Sequence, residues 1–143
     1  MSAGEFPNAL RGRCGVFTDV RITVGRDGLY TCPDLAVVCG GPQFLDGHKD
    51  TALNPKAIVE VLSPSTEGYD RGLKFAQYRT IGTLDEYVLV SQTEARVEVF
   101  RKQADGTGVL TEFAGLEAVC RFESLGCEIP LSGIYQDVNL DWS

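Results

Sequence analysis

The stretch Pro55–Gly82, PKAIVEVLSPSTEGYDRGLKFAQYRTIG, limits the fold most. It opens on an apolar run, Ala57-Ile58-Val59-Glu60-Val61-Leu62, bounded by Pro55 and by Ser63-Pro64. β-Branched residues dominate the run, which predicts a short strand buried on both faces. Glu60 stands inside it. A carboxylate at such a position is costly to desolvate unless it is paired or bound to a cation. Glu60 therefore needs a partner.

The rest of the stretch offers one. Ser65 or Thr66 can cap a helix that Gly82 ends, predicting a helix over 66–81. Within it Asp70, Lys74 and Tyr78 stand four apart and share one face. The plain alternative is a core Glu60 bridged to Lys74 for structure alone, since structural ion pairs look the same at this level.

Before this stretch, Met1–Leu10 has no periodicity and reads as an irregular end, with one domain over 11–143. Gly15–Val24 alternates, which predicts one strand. Arg26-Asp27-Gly28 signals a hairpin turn, followed by a strand from Leu29 to Cys39. Pro33 interrupts that strand and removes a ladder donor, so a bend or bulge is expected there. Asp34 follows it, at the mouth of the apolar run Leu35–Cys39. Gly40–Asn54 reads as a polar loop.

After the helix, Asp85–Ser91, Arg96–Lys102, Val109–Phe113 and Ala118–Phe122 read as strands. In Arg96–Lys102, Val97 and Val99 fall on one side and Arg96, Glu98 and Phe100 on the other. The tail to Ser143 reads as irregular, with Ile134-Tyr135 docking as a short turn. A helix followed by an apolar strand fits a crossover to a strand parallel with Ala57–Leu62, while hairpins join the later strands. The fold class is thus α/β, with a mixed central sheet, strand-rich, and one clear helix.

A chain of 143 residues that is 43% hydrophobic suits one soluble domain with a real core. No run is long enough to span a membrane, and no signal-like segment opens the chain, so the expected location is the cytosol. The five cysteines form no C-x-x-C pair, so neither a disulfide framework nor a zinc site is expected, and buried reduced thiols are the default. The only histidine, His48, lies in the polar loop and reads as a surface residue. A net charge of −7 argues against holding nucleic acid by charge alone. It leaves room for a local basic patch, since Arg11, Arg13, Arg21 and Arg26 gather early in the chain.

Asp34, Glu60 and Lys74 form the candidate constellation. Two carboxylates and an ammonium meeting at one point are the minimum kit for metal-assisted phosphodiester hydrolysis. The acids would hold Mg²⁺, which favours carboxylates plus waters, with Mn²⁺ as a substitute. The lysine would orient water or steady charge in the transition state. Each residue also has a plainer role: Asp34 as a turn residue after Pro33, Lys74 as a solvated helix lysine, Tyr78 as a packing residue with a hydrogen-bonded hydroxyl.

CPDLAVVCGG, NPKAIVEVLSPST, the Asp70/Lys74/Tyr78 spacing and GTLDEYVLVS together resemble the Uma2 family of endonucleases, within the PD-(D/E)xK restriction-endonuclease-like superfamily. The resemblance runs from Arg11 to Val138. It implies a mixed sheet flanked by helices and a metal site at Asp34, Glu60 and the carbonyl of Val61. The superfamily lysine usually lies two residues after the Glu, where this chain has Leu62. Lys74 fits the alternative place on the next helix. Asp70 would be an accessory acid, and Asp19 matches a family acid on the preceding strand; its plainer role is a salt bridge to Arg21 or Lys74. Members usually carry an upstream hairpin and a helix bearing another Glu, where this chain has only Met1–Leu10. A sheet face left apolar and exposed would favour a homo-oligomer.

Two functions follow as expectations. One is a Mg²⁺-dependent endonuclease acting on nucleic acid, DNA first. The other is a catalytically inactive nuclease fold serving as a binding or assembly module, its acids kept as a structural ion-pair network.

Overall fold

The computed structural model describes residues 14–17, 21–24, 29–31, 33–41, 44–45, 48–62, 75–78 and 80–135. The central element is a six-stranded mixed sheet. Its strands in spatial order are Cys14–Phe17 (β1), Leu35–Cys39 (β4), Ala57–Leu62 (β7), Glu86–Ser91 (β8), Arg96–Lys102 (β9) and Gly108–Ala114 (β10). Only β7 and β8 run parallel, with Glu60 beside Leu89; the other neighbours are antiparallel. This is the expected crossover, because a parallel neighbour needs a connection long enough to return over the sheet.

β7 and β8 are apolar on both faces because both faces are covered. On one side Val59, Val88, Val90, Val97 and Val99 pack against the hairpin of Val119–Phe122 (β11) and Cys127–Pro130 (β12). On the other, Ile58, Leu62, Tyr87 and Leu89 pack against Tyr78 of the helical turn Phe75–Tyr78 (α1), with Ile81, Leu84, Ile22 and Ala52. Ile58 and Val59 are wholly buried. Burying a side chain of this size is worth about 1.5–3 kcal/mol, so this strand anchors both layers.

A smaller sheet of Leu29–Thr31 (β3), Arg21–Val24 (β2), His48–Ala52 (β6) and Phe44–Leu45 (β5) adjoins it. Three expectations are corrected here. The alternating stretch Gly15–Val24 is two strands, β1 in the large sheet and β2 in the small one. The residue alternation runs through both, and it cannot reveal a change of sheet. The strand from Leu29 to Cys39 divides in the same way, into β3 and β4 on either side of Pro33. The polar loop over 40–54 contains the β5–β6 pair, which includes His48.

The C-terminal part is also more regular than expected. β12 pairs with β11, and Leu131–Ile134 (α2) follows it. Tyr135 docks as foreseen: its hydroxyl lies 2.6 Å from the Ser91 carbonyl, 3.0 Å from that of Glu94 and 2.9 Å from that of Arg96, and it accepts from the Arg96 N–H at 3.2 Å. Its hydroxyl therefore fastens the turn between β8 and β9. Of the helix expected over 66–81, Phe75–Tyr78 is helical, Thr80 and Ile81 are not, and the rest lies outside the described residues.

The cysteine expectation is overturned for one pair. Cys14 and Cys39 face each other directly across β1 and β4 and form a disulfide. Spacing could not show this, because their meeting depends on the register of two strands that are 25 residues apart. Cys120 and Cys127 are buried thiols, as expected. Burial pushes the Cys120 thiol far above its ordinary value, with the nearby Glu86 adding to the effect. That thiol is not a nucleophile.

Candidate active site on the sheet face under Tyr78

Leu35 pairs with Val59 across β4 and β7. Extending that register by one residue sets Asp34 opposite Glu60, so both carboxylates belong to the same face of the sheet. Pro33 explains why Asp34 leaves the ladder: proline has no N–H to donate, and the chain bends at Asp34 before β4 begins. The Asp34 carboxylate turns to the neighbouring strand instead. Its Oδ2 accepts the Val61 N–H at 2.6 Å, a short charge-assisted bond. Asp34 is exposed, whereas Glu60 is 4% exposed.

Glu60 has a partner of a kind not foreseen. The Tyr78 hydroxyl donates to Glu60 Oε1 at 3.0 Å. Tyr78 is wholly buried, and its ring packs tilted against Tyr87 at 5.1 Å, which in turn lies 6.4 Å from Phe100. A buried tyrosine needs a partner for its hydroxyl, and here that need fixes the carboxylate of the adjacent strand. Lys74, Asp70 and Asp19 lie outside the described residues.

The described groups are thus two carboxylates on adjoining strands, with the Val61 carbonyl expected from the resemblance as a third oxygen. These are hard oxygen ligands of the type that Mg²⁺ and Mn²⁺ prefer. Among the described residues no group of three or more His, Cys, Asp or Glu converges as a metal cluster. A cation held here would complete its shell with water or substrate, as Mg²⁺ commonly does.

The sequence did not signal a second charged row on this face. Glu60, Leu89 and Glu98 lie side by side across β7, β8 and β9, and Glu112 follows on β10. Arg96 neutralises the outer part: its guanidinium lies 2.9 Å from Glu94, 3.7 Å from Glu98 and 3.9 Å from Glu112. The alternation of β9 had put Arg96 and Glu98 on one side; the missing information was which strand would adjoin them.

A depression of about 370 Å³ opens elsewhere, at the start of β8, among Leu84, Tyr87, Phe100, Lys102 and Leu110. The carboxylate pair sits at the opposite end of β7, with Asp34 at the surface. An open position suits a polymer backbone better than an enclosed cavity would. On the other sheet face, Glu86 is buried and accepts from the Ser124 hydroxyl and, at 3.1 Å, the Ser124 N–H. Burial raises its pKa, and the Ser124 bonds oppose that rise without cancelling it.

Comparison with known proteins agrees with this fold. The chain resembles the structure described as "a putative nuclease belonging to DUF820" from Anabaena variabilis ATCC 29413, with a TM-score of 0.73 at 16% identity over 93% of this chain and 75% of that one. Two curated relatives come from Synechocystis sp. (strain ATCC 27184 / PCC 6803 / Kazusa). "Uncharacterized protein sll1609" is 39% identical over 105 residues, covering 73% of this chain and 59% of the relative. "Uncharacterized protein slr1290" is 33% identical over 124 residues, covering 83% and 61%. The chain therefore spans about three fifths of the length of these relatives. Among the described residues no helix is long and apolar enough to cross a membrane. The family model Uma2, described as "Putative restriction endonuclease", matches residues 3–132. With a family match over residues 3–132 and a fold shared with the Anabaena structure, the chain belongs to the Uma2 family.

Proposed function

We propose that the protein is a Mg²⁺-dependent endonuclease that hydrolyses phosphodiester bonds in nucleic acid, with DNA as the substrate. One contact carries the proposal: Asp34 Oδ2 on the Val61 N–H at 2.6 Å, which holds the exposed carboxylate beside buried Glu60. Asp34, Glu60 and the Val61 carbonyl would hold the cation, with Mn²⁺ as a working substitute. A cation held there would supply polarisation of a phosphoryl oxygen and a more acidic water as nucleophile. Tyr78 orients Glu60 through its hydroxyl. Lys74 serves as the base or electrostatic partner at the phosphate, and Asp70 and Asp19 assist.

The test is nicking of supercoiled plasmid in Mg²⁺ or Mn²⁺ by wild type, Glu60→Ala and Lys74→Ala. Activity in wild type that both variants lose supports the proposal. Equal cutting by all three would identify a contaminant and end it.

A second function has its own support. The Tyr78 hydroxyl already engages Glu60, and the chain carries a net charge of −7. An inactive nuclease fold acting as a binding or assembly module would keep the carboxylates for structure. Calorimetric titration with Mn²⁺ separates the two. Heat abolished by Asp34→Asn favours the enzyme, and no heat in wild type favours the module.

A further inference from the structure

β10 is the outer strand of the six-stranded sheet. Its register with β9 is continuous from Gly108↔Lys102 to Ala114↔Arg96, without a bulge. All of its residues are exposed except the half-buried Phe113. Proteins usually blunt such an edge with lysine, proline, a bulge or a very short strand. Apart from the single exposed charge of Glu112, Gly108-Val109-Leu110-Thr111-Glu112-Phe113-Ala114 uses none of these. Val109 and Leu110 are 40% and 50% exposed, and Val119, beside the edge, is 47% exposed.

We propose that β10 pairs with β10 of a second copy of this chain, antiparallel about a two-fold axis at Thr111, so that two six-stranded sheets become one. The order of its side chains selects a second copy as the occupant. Val109, Thr111 and Phe113 share a face with Val97 and Val99, because paired residues point the same way. Run in opposite directions about Thr111, Val109 meets the partner's Phe113, Thr111 meets the partner's Thr111, and Phe113 meets the partner's Val109. Aromatic–β-branched and Thr–Thr pairs are favourable across strands. Thr111, Phe113 and Val119 also line a groove on this face together with Val99, Arg101, Arg121 and Glu123, so the new pairs lie against a surface of mixed apolar and charged side chains. On the other face Leu110 meets the partner's Glu112, so no two acids stand opposed. The head of Glu112 lies 3.9 Å from Arg96, within its own chain. An isologous contact of this kind closes on itself, as most homodimers do. An unrelated extended peptide would need no such apolar–threonine–apolar order on this face.

β10 lies beyond β8 and β9 from the carboxylates, so the proposal stands or falls independently of nuclease activity. Sedimentation at micromolar concentration should give wild type twice the chain mass of 15.5 kDa. Thr111→Lys sets two ammonium groups opposite each other on the axis and should return the protein to single-chain mass with an unchanged circular dichroism spectrum. Thr111→Cys should form a covalent dimer under mild oxidation, because directly opposed residues bring their Cβ atoms within about 5 Å. Wild type at single-chain mass, a dimer that survives Thr111→Lys, or no cross-link in Thr111→Cys would each overturn the proposal. If Thr111→Lys does not fold, the cross-link alone decides.

Discussion

The Tyr78 hydroxyl donates to Glu60 Oε1 at 3.0 Å, tying the helical turn above the sheet to the one carboxylate inside its central strand. Hydrogen bonds to charged groups are worth about 1.5–3 kcal/mol. Tyr78→Phe keeps the ring against Tyr87 and removes the donor. Chemical denaturation should show a loss of about 1–2 kcal/mol. A change within experimental error would mean that the hydroxyl does not hold Glu60.

Asp34→Asn should separate stability from activity. The amide oxygen still accepts from the Val61 N–H, while the charge on a hard cation is lost. Melting should stay close to wild type, within about 0.5 kcal/mol as for most surface changes. Nicking in Mg²⁺ should fall by about 10²-fold or more. A folded variant that cuts at the wild-type rate would remove Asp34 from the site.

Glu86 gives a pH signature opposite in sign to most carboxylates. Burial raises its pKa in the folded state above the ordinary 4.5. The stability this group contributes is therefore fully present below 4.5 and is lost as pH rises through the higher folded value. Glu86→Gln keeps an acceptor for Ser124 and cannot ionise. Its stability relative to wild type should rise between pH 4 and pH 7, as followed by urea unfolding. A pH-independent difference would show that Glu86 does not titrate abnormally.

Tyr135 shows the same sign at the alkaline end. Burial, the largest cause, pushes its pKa up to about 12 from 10. Protonated tyrosine is favoured in the fold, so its contribution is present below pH 10 and is lost as pH rises towards 12. Wild type should lose more stability than Tyr135→Phe over that interval. At neutral pH the variant should be less stable by about 1–3 kcal/mol, because the buried Ser91 carbonyl loses its hydroxyl donor.

The Cys14–Cys39 bond closes a loop across a sequence separation of 25. Chain-entropy arguments put the value of such a link at about 3 kcal/mol. Dithiothreitol should lower the denaturation midpoint accordingly, and non-reducing peptide mapping should recover the linked pair. Equal midpoints with and without reductant would contradict the link. Such bonds are uncommon in reducing compartments, which sets this one against the cytosolic location expected from the absence of a signal-like segment.

β7, β8 and β9 were legible in the sequence because two-sided burial writes a continuous apolar run and one-sided burial writes alternation. Their parallel and antiparallel order followed from the intervening helix and turns. The split of Gly15–Val24 was not legible, because both halves have the same period and only tertiary pairing separates them. Asp34 and Glu60 were legible as acids out of place, one after a proline and one inside an apolar run. The Tyr78 bond was half legible: the spacing set Tyr78 on the helix face with Lys74, but gave no sign that its hydroxyl would reach Glu60. The pairing of Cys14 with Cys39 was invisible, since it depends on register alone.

Pro33 separates β3 from β4, and the two strands belong to different sheets. With no N–H at that point, neither ladder continues through the junction. Asp34 is the next residue, so the exposed carboxylate sits where one layer hands the chain to the other. A substitution at Asp34 therefore falls at the junction of the two sheets rather than inside either ladder.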